Sequence, residues 1–175
     1  LSGPVAADPV SITPSEDLNG DGTSNDPYEI TNASELQSMR NDRDAHYELT
    51  EDVNATNTSE WDGGDGFEPI GDSGNQFTGT FDVQNHTITG LSIDYGGEDD
   101  VGLFGDIGSA GVVENLRLVA ADVSGDDRVG PLVGNNDGTI RNTTVTGTAS
   151  GSGNRTGGLV GNNADNGKIL RSGAD

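Results

Sequence analysis

The chain has 175 residues, 30 acidic against eight basic side chains, a formal net charge of −22, 30% hydrophobic residues and no cysteine. This excludes a disulfide scaffold or a thiolate metal site. It also excludes nucleic-acid binding, which needs a basic patch to displace counterions. No stretch approaches the roughly 18 apolar residues of a membrane helix, so membrane insertion is not expected.

The charge itself points to an environment. A folded chain this acidic repels itself, and that cost becomes tolerable where salt near 1 M shortens the Debye length to about 3 Å. An extremely halophilic, archaeal source is expected; the alternative is an acidic, cation-binding extracellular protein from an ordinary source. The chain opens at Leu1 rather than Met, which reads as a mature form whose leader has been removed.

Residues 1–16 carry Pro4, Pro9 and Pro14 and are expected as an extended N-terminal arm, with Val10-Ser11-Ile12-Thr13 suited to an edge strand. Residues 17–76 form a differently organised cap region. It begins with Asp17-Leu18-Asn19-Gly20-Asp21-Gly22, the first half of a calcium loop in which alternate oxygens wrap a hard cation. The twelfth position is Tyr28 rather than Glu, so the full pattern fails. Calcium at Asp17, Asn19 and Asp21 is set against an acidic turn in which Asp and Asn serve the backbone. A strand at Tyr28 to Ile30 precedes the one convincing helix, about Ala33 to Arg40, with Asn32 as its cap, Glu35 reaching back, and Leu36 and Met39 as an apolar pair. Tyr47 to Leu49 resumes β structure before an acidic loop.

Residues 77–175 repeat. A small-apolar-apolar-glycine step occurs at Gly102-Leu103-Phe104-Gly105, Pro131-Leu132-Val133-Gly134 and Gly158-Leu159-Val160-Gly161. Each step is followed by a second glycine and a β-branched residue, at Gly111-Val112-Val113, Gly138-Thr139-Ile140 and Gly167-Lys168-Ile169. The closing glycines lie 29 and then 27 residues apart (134 − 105 and 161 − 134), and a near-constant period of this size means stacked units. Short Thr- and Val-containing runs between Gly, Asn and Asp are strand-and-turn chemistry. At roughly 3.3 Å per residue, such a unit holds three short strands and three corners.

Equivalent side chains should therefore stack as Leu103/Leu132/Leu159, Phe104/Val133/Val160 and Val113/Ile140/Ile169. A degenerate earlier copy, Thr87 to Ile93, is expected to place Ile88 beneath Val113 and Ile93 beneath Leu118. The expected class is all-β: a β-solenoid (β-helix) of about four coils of 25–29 residues, with the short helix capping its N-terminal end against edge pairing.

These repeats resemble the GLUG motif, named for its Gly-Leu-x-Gly core. The segments Gly22 to Ile30, Trp61, Pro69-Ile70-Gly71, Phe77 to Asp82 and His86 to Leu91 resemble the usual lead-in to such arrays. Val83-Gln84-Asn85, Pro131 and Arg171 depart from the pattern at single corners. The resemblance implies a β-solenoid of large secreted or surface proteins, including bacterial adhesins and non-catalytic parts of IgA-specific peptidases. It implies no catalytic residues.

Asn32, Asn54, Asn57, Asn85, Asn142 and Asn154 each open an Asn-x-Ser/Thr sequon, an acceptor for N-glycosylation. Asn54, Asn57 and Asn154 sit in polar, loop-like surroundings. Asn32 doubles as a helix cap, Asn85 as a turn residue, and Asn142 as a corner partner of Asn115. Catalysis has little support: His46 and His86 are the only histidines, and Asp99-Asp100 and Asp126-Asp127 are pairs that 30 acids make unavoidable.

The function expected is that of an extracellular or cell-surface structural protein, an adhesin or a subunit of a filament or pilus. It would be glycosylated, non-enzymatic, and partnered by itself or by cell-surface glycans, with no cofactor required beyond possible calcium. Self-association would use the solenoid ends or the N-terminal strand. The alternative is a carbohydrate-binding or carbohydrate-cleaving β-helix, for which the sequence-level mark would be an aromatic platform or a basic residue facing paired acids on one flank.

Overall fold

A computed structural model describes residues 13–175. Every strand pairing between named elements is parallel, as a chain that winds in one direction requires. Three sheets run along the axis. The first orders β1 (Tyr28–Ile30), β2 (His46–Leu49), β4 (Thr80–Asp82), β8 (Val112–Glu114), β11 (Thr139–Arg141) and β14 (Lys168–Leu170). The second orders β7 (Phe104–Ile107), β10 (Val133–Asn136) and β13 (Val160–Asn163). The third orders β3 (Val53–Asn54), β5 (Thr87–Thr89), β9 (Arg117–Gly125), β12 (Thr144–Gly151) and β15 (Gly173–Ala174), with β6 (Ser92–Asp94) also on β9.

The fold is thus a β-solenoid with three complete turns, β7–β9, β10–β12 and β13–β15, where about four were expected. The earlier rungs are incomplete. Between β1 and β2 the chain positions of the other two sheets are taken by α2 (Ala33–Ser38) and a 3-10 turn at Met39–Asn41. Between β2 and β4, isolated parallel bridges Ile70↔Phe104 and Phe77↔Ile107 stand in for a strand of the second sheet.

The stacking columns form as the period predicts. Ile140 pairs with Val113 below and Ile169 above, and Val133 with Phe104 and Val160. Ile140, Val113, Phe104 and Val133 are fully buried, and each such side chain is worth about 1.5–3 kcal/mol of apolar burial. The interior changes character along the axis. Towards the front it is aromatic, with Tyr28 and Tyr47 centroids 5.5 Å apart and Phe77 and Phe104 4.8 Å apart; in the later turns it is aliphatic.

The degenerate copy sits one strand away from the expected register. Phe81, not Ile88, lies beneath Val113, while Ile88 pairs with Leu118 and Ile93 with Val123. Both candidate strands show one buried residue between two half-buried ones, so a three-residue pattern did not separate them. The turn Val83 to His86, closed by the His86 N–H on the Val83 carbonyl at 2.8 Å, makes this corner longer than its successors.

The repeat's two special positions divide the work of its corners. Gly105, Gly134 and Gly161 are needed for close approach: a Cβ on Gly134 would lie 2.3 Å from the Asp100 carbonyl carbon, and one on Gly161 2.3 Å from that of Arg128. The left-handed corner is carried instead by non-glycine residues, Asn85 (φ 66°), Asn115 (57°), Asn142 (51°) and Arg171 (51°). Asn tolerates this region through local hydrogen bonding, and Asn142 Nδ2 donates to Asn115 Oδ1 at 3.1 Å, 27 residues earlier.

Helix α2 is capped as expected at Asn32, whose Oδ1 accepts from the Glu35 N–H at 3.0 Å. Glu35 reaches back one residue further than a capping box, to the Thr31 N–H at 2.7 Å. Leu36 and Met39 are fully buried in the core, and Gln37 fixes the helix to the Glu68 backbone by two bonds of 2.8 Å. The expected extended arm is corrected at its end: Pro14–Asp17 form a short helical turn, α1. It suits Pro, whose fixed φ fits the first helical position. The rest of the arm, with the edge strand expected at Val10 to Thr13, falls outside the described residues except for Thr13, the residue that precedes α1.

Candidate functional site

The cleft with functional character lies on one flank of the early turns and has a volume of about 600 Å³. Four stretches build it: Arg40 to Arg43 after α2, Glu68 to Ser73 before the first second-sheet rung, Tyr95 to Val101 between β6 and β7, and Arg128 between β9 and β10. Three of the chain's eight basic residues, Arg40, Arg43 and Arg128, converge here. Five acids, Glu68, Asp72, Glu98, Asp99 and Asp100, share the wall.

Each cation is already engaged. Arg40 forms an ion pair with Glu68, and the Arg43 guanidinium donates to the Arg40 carbonyl. Arg128 grips Asp100 through two nitrogens, Nη2 at 2.6 Å from Oδ2 and Nε on Oδ1, with Asp99 Oδ2 3.7 Å away. Such a forked pair is directional as well as attractive. Asp100 itself is left-handed (φ 58°) and its side chain is only 12% exposed.

The remaining wall is held locally. Asp72 accepts from the Gly74 N–H at 2.7 Å and the Asn75 N–H at 2.9 Å, bonds that keep its carboxyl below the usual range, the Gly74 bond foremost. Tyr95, half-buried, donates its hydroxyl to Asp62 Oδ2 at 3.3 Å. Burial first, then the neighbouring Asp62 charge, pushes the phenol up to about 12. Glu98 is exposed and makes no side-chain hydrogen bond or ion pair among the described residues.

Sequence reasoning named Asp99-Asp100 but dismissed the pair, and it missed Arg40, Arg43 and Tyr95. One signal was available: Arg128 stands one repeat above Asp100, and Arg155 one repeat above Asp127. The second pair closes in the same way, with Nη2 2.6 Å from Oδ2. Asp126 of the other expected pair accepts instead from the Ser152 hydroxyl at 2.5 Å.

The calcium-loop side chains are each engaged with a nearby group. Asp17 Oδ2 accepts from the Thr13 N–H at 2.8 Å, Asp21 Oδ1 from the Thr23 N–H at 3.1 Å, and Asn19 Nδ2 donates to Glu29 Oε2 at 3.2 Å. Among the described residues no group of three or more His, Cys, Asp or Glu side chains is arranged to hold a metal. His86 packs its Nδ1 3.3 Å from Asp52, in a corner rather than a cleft.

All six sequon asparagines are exposed. Asn32 and Asn54 are committed to local turns, Asn54 Oδ1 accepting from the Thr56 N–H at 3.0 Å and its hydroxyl at 2.8 Å, and Asn142 to Asn115. The side-chain amides of Asn57, Asn85 and Asn154 make no hydrogen bond among the described residues.

The fold and this flank define the class: a three-sided parallel β-solenoid with an acidic surface and a mixed-charge cleft. No family model matches the chain. It is 49% identical over 137 residues to halomucin of the haloarchaeon Haloquadratum walsbyi, a match covering 75% of this chain and 2% of that protein. It is 38% identical over 131 residues to the “Putative Gly-rich membrane protein” of Evansella cellulosilytica, covering 72% of this chain and 15% of that one. The chain thus spans a small part of the length of both relatives. A crystal structure of an immunoglobulin A1 protease, itself named as “putative”, from Bacteroides ovatus aligns with 89% of this chain and 69% of its own at a TM-score of 0.44 and 16% identity. That is too weak a likeness to carry an argument.

Proposed function

We propose that the chain is a rod-like structural segment of a secreted or cell-surface protein that works in concentrated salt. The observation that carries this reading is the first sheet, a ladder of six parallel rungs in which stacked apolar side chains face inward while the corners carry Asp, Asn and Thr. Its net charge of −22 and its similarity to halomucin of a haloarchaeon support the salt and surface parts. Among the described residues no helix is long and apolar enough to cross a membrane.

Adhesion or assembly into a filament is the finer reading. The support for it is the repeat itself, parallel rungs of near-constant period stacked along one axis, the geometry of an extended rod. The reading assigns no catalysis to the chain. Negative-stain microscopy across KCl concentrations tests it. Rods that lengthen with protein concentration are expected, and dispersed particles under every condition would remove the filament.

A second reading, carbohydrate binding without cleavage, is supported by one observation: Arg128 facing the Asp99-Asp100 pair in a cleft that also holds Tyr95.

A further inference from the structure

We infer that the cleft between Arg40, Tyr95, Glu98 and Arg128 binds an uncharged glycan, taking a vicinal diol between its carboxylates and guanidinia and a sugar face on the Tyr95 ring. The inference rests on the carbohydrate-binding reading and narrows it to neutral sugars.

Size is the first support, since about 600 Å³ lies within the range of small-ligand sites, roughly 300–1,000 Å³. Charge is the second. Five acids against three arginines leave the wall net acidic, so at contact distance, inside the roughly 3 Å over which molar salt screens, an anionic ligand meets more like than unlike charge. A cation is a poor fit too, because Glu68, Asp99 and Asp100 already face guanidinium groups.

What remains is hydrogen-bonding capacity of both kinds. A guanidinium offers five N–H donors and a carboxylate about four acceptor positions, and the pairs in the cleft use only part of each. Adjacent hydroxyls, each both donor and acceptor, match such alternating groups where a simple ion does not. The Glu98 side chain has no hydrogen-bond or ion-pair partner among the described residues, so its carboxylate is open to hydroxyls.

Geometry is the third support. The Tyr95 hydroxyl is tied to Asp62, which fixes the ring, and a phenol held neutral well above ordinary pH keeps donating that bond. Aromatic rings with one wet end bind partly apolar, partly polar surfaces well. Asp72 and Asp100 are held by the Gly74 and Asn75 amides and by Arg128 respectively, so the walls are ordered before a ligand arrives and the cost of binding falls. In molar salt long-range charge is screened within about 3 Å, which leaves short hydrogen bonds and stacking as the usable recognition.

The test is a titration of the intact chain in 3 M KCl, followed by calorimetry and by saturation transfer from protein to sugar, with mannotriose and maltotriose as neutral probes and trigalacturonate as the acidic one. Expected is binding of at least one neutral trisaccharide at about millimolar strength, with transfer concentrated on adjacent ring positions. Glu98→Gln, an exposed change, should weaken it at least fivefold, and Tyr95→Ala more. Asp165→Asn, on the exposed turn after β13, should leave it unchanged. Binding of trigalacturonate alone would overturn the neutral-diol assignment while leaving carbohydrate binding standing. Silence from all three sugars at about 10 mM would overturn both, and so would binding indifferent to Glu98→Gln.

Discussion

Arg155 Nη2 lies 2.6 Å from Asp127 Oδ2, 28 residues earlier in the chain, and repeats one turn later the grip of Arg128 on Asp100. The two pairs clasp consecutive turns at one corner, but not equally. Asp100 is 12% exposed and Arg128 27%, whereas the Arg155 side chain is 46% exposed. The carboxylates are almost equally sheltered, Asp100 at 12% and Asp127 at 18% exposed, so the contrast lies in the guanidinium: the Arg155 pair is the more open to solvent and salt. Arg128→Ala should therefore cost about 2 kcal/mol and persist in 3 M KCl. Arg155→Ala should cost less, and its effect should fade as salt screens the pair. Thermal unfolding of both variants at low and high KCl measures the difference.

Acid should act on this protein in two opposite windows. Asp127 is held below the ordinary aspartate range, chiefly by its Arg155 hydrogen bond, Asp72 by the Gly74 N–H, and Asp52 by the Thr87 N–H. Their stabilisation is present above the ordinary value of 3.8 and is lost as pH falls towards their lower folded values. Asp106 is the reverse: burial pushes it up, against the Asn135 and Gln76 hydrogen bonds, with the Asp100 and Asp137 charges adding. Its contribution is complete below 3.8 and is lost as pH rises through its folded value. A melting-temperature profile from pH 3 to 8 in 3 M KCl should rise from neutral towards mild acid and fall below it. Asp106→Asn removes the titration but gives up one of the two acceptor oxygens that Gln76 and Asn135 use, so it should flatten the upper limb.

The columns make a graded prediction along the axis. Ile140 is sandwiched between Val113 and Ile169 and fully buried, while Ile169 is 36% exposed. Ile140→Ala should cost about 2–4 kcal/mol, and Ile169→Ala under about 1. Gly134→Ala should do more damage than either, because its new methyl has backbone on the facing turn at 2.3 Å and backbone does not step aside. Denaturant melts, in a salt that keeps the parent folded, rank the three.

Glycan occupancy should follow the freedom of the asparagine amide. Asn57, Asn85 and Asn154 are expected to carry glycans more completely than Asn32, Asn54 and Asn142, whose side chains are engaged. Glycopeptide mass spectrometry of the native material reads the occupancy. Equal occupancy at Asn142 and Asn154 would show that local hydrogen bonding does not set it.

Much of the fold was legible in the chain. A repeat of about 27 residues made of short strands cannot satisfy its backbone within one copy and does so by pairing with its neighbours, so Val113, Ile140 and Ile169 had to stack. The failures came where that logic thins out. Thr80-Phe81-Asp82 and Thr87-Ile88-Thr89 present the same three-residue alternation, and only the length of the Val83 to His86 turn decides which of them lies beneath Val113. Glycine at the repeat's end was legible as a requirement but not by cause: close approach of backbones demands Gly134, while left-handed corners fall to Asn115, Asn142 and even Arg171.

The sequence by itself determined the period, the parallel stacking and the identity of the core columns, because in a solenoid one-dimensional repetition becomes contact between neighbouring turns. The tertiary structure alone decided the cleft. Asp100 and Arg128 are one repeat apart, but Arg40 and Tyr95 share no pattern with them along the chain, and they meet because the irregular early turns bring their loops to the same flank as the first clasp between complete turns. Contacts between copies follow from the period. Contacts between a repeat and the unlike residues before it follow only from how the chain packs.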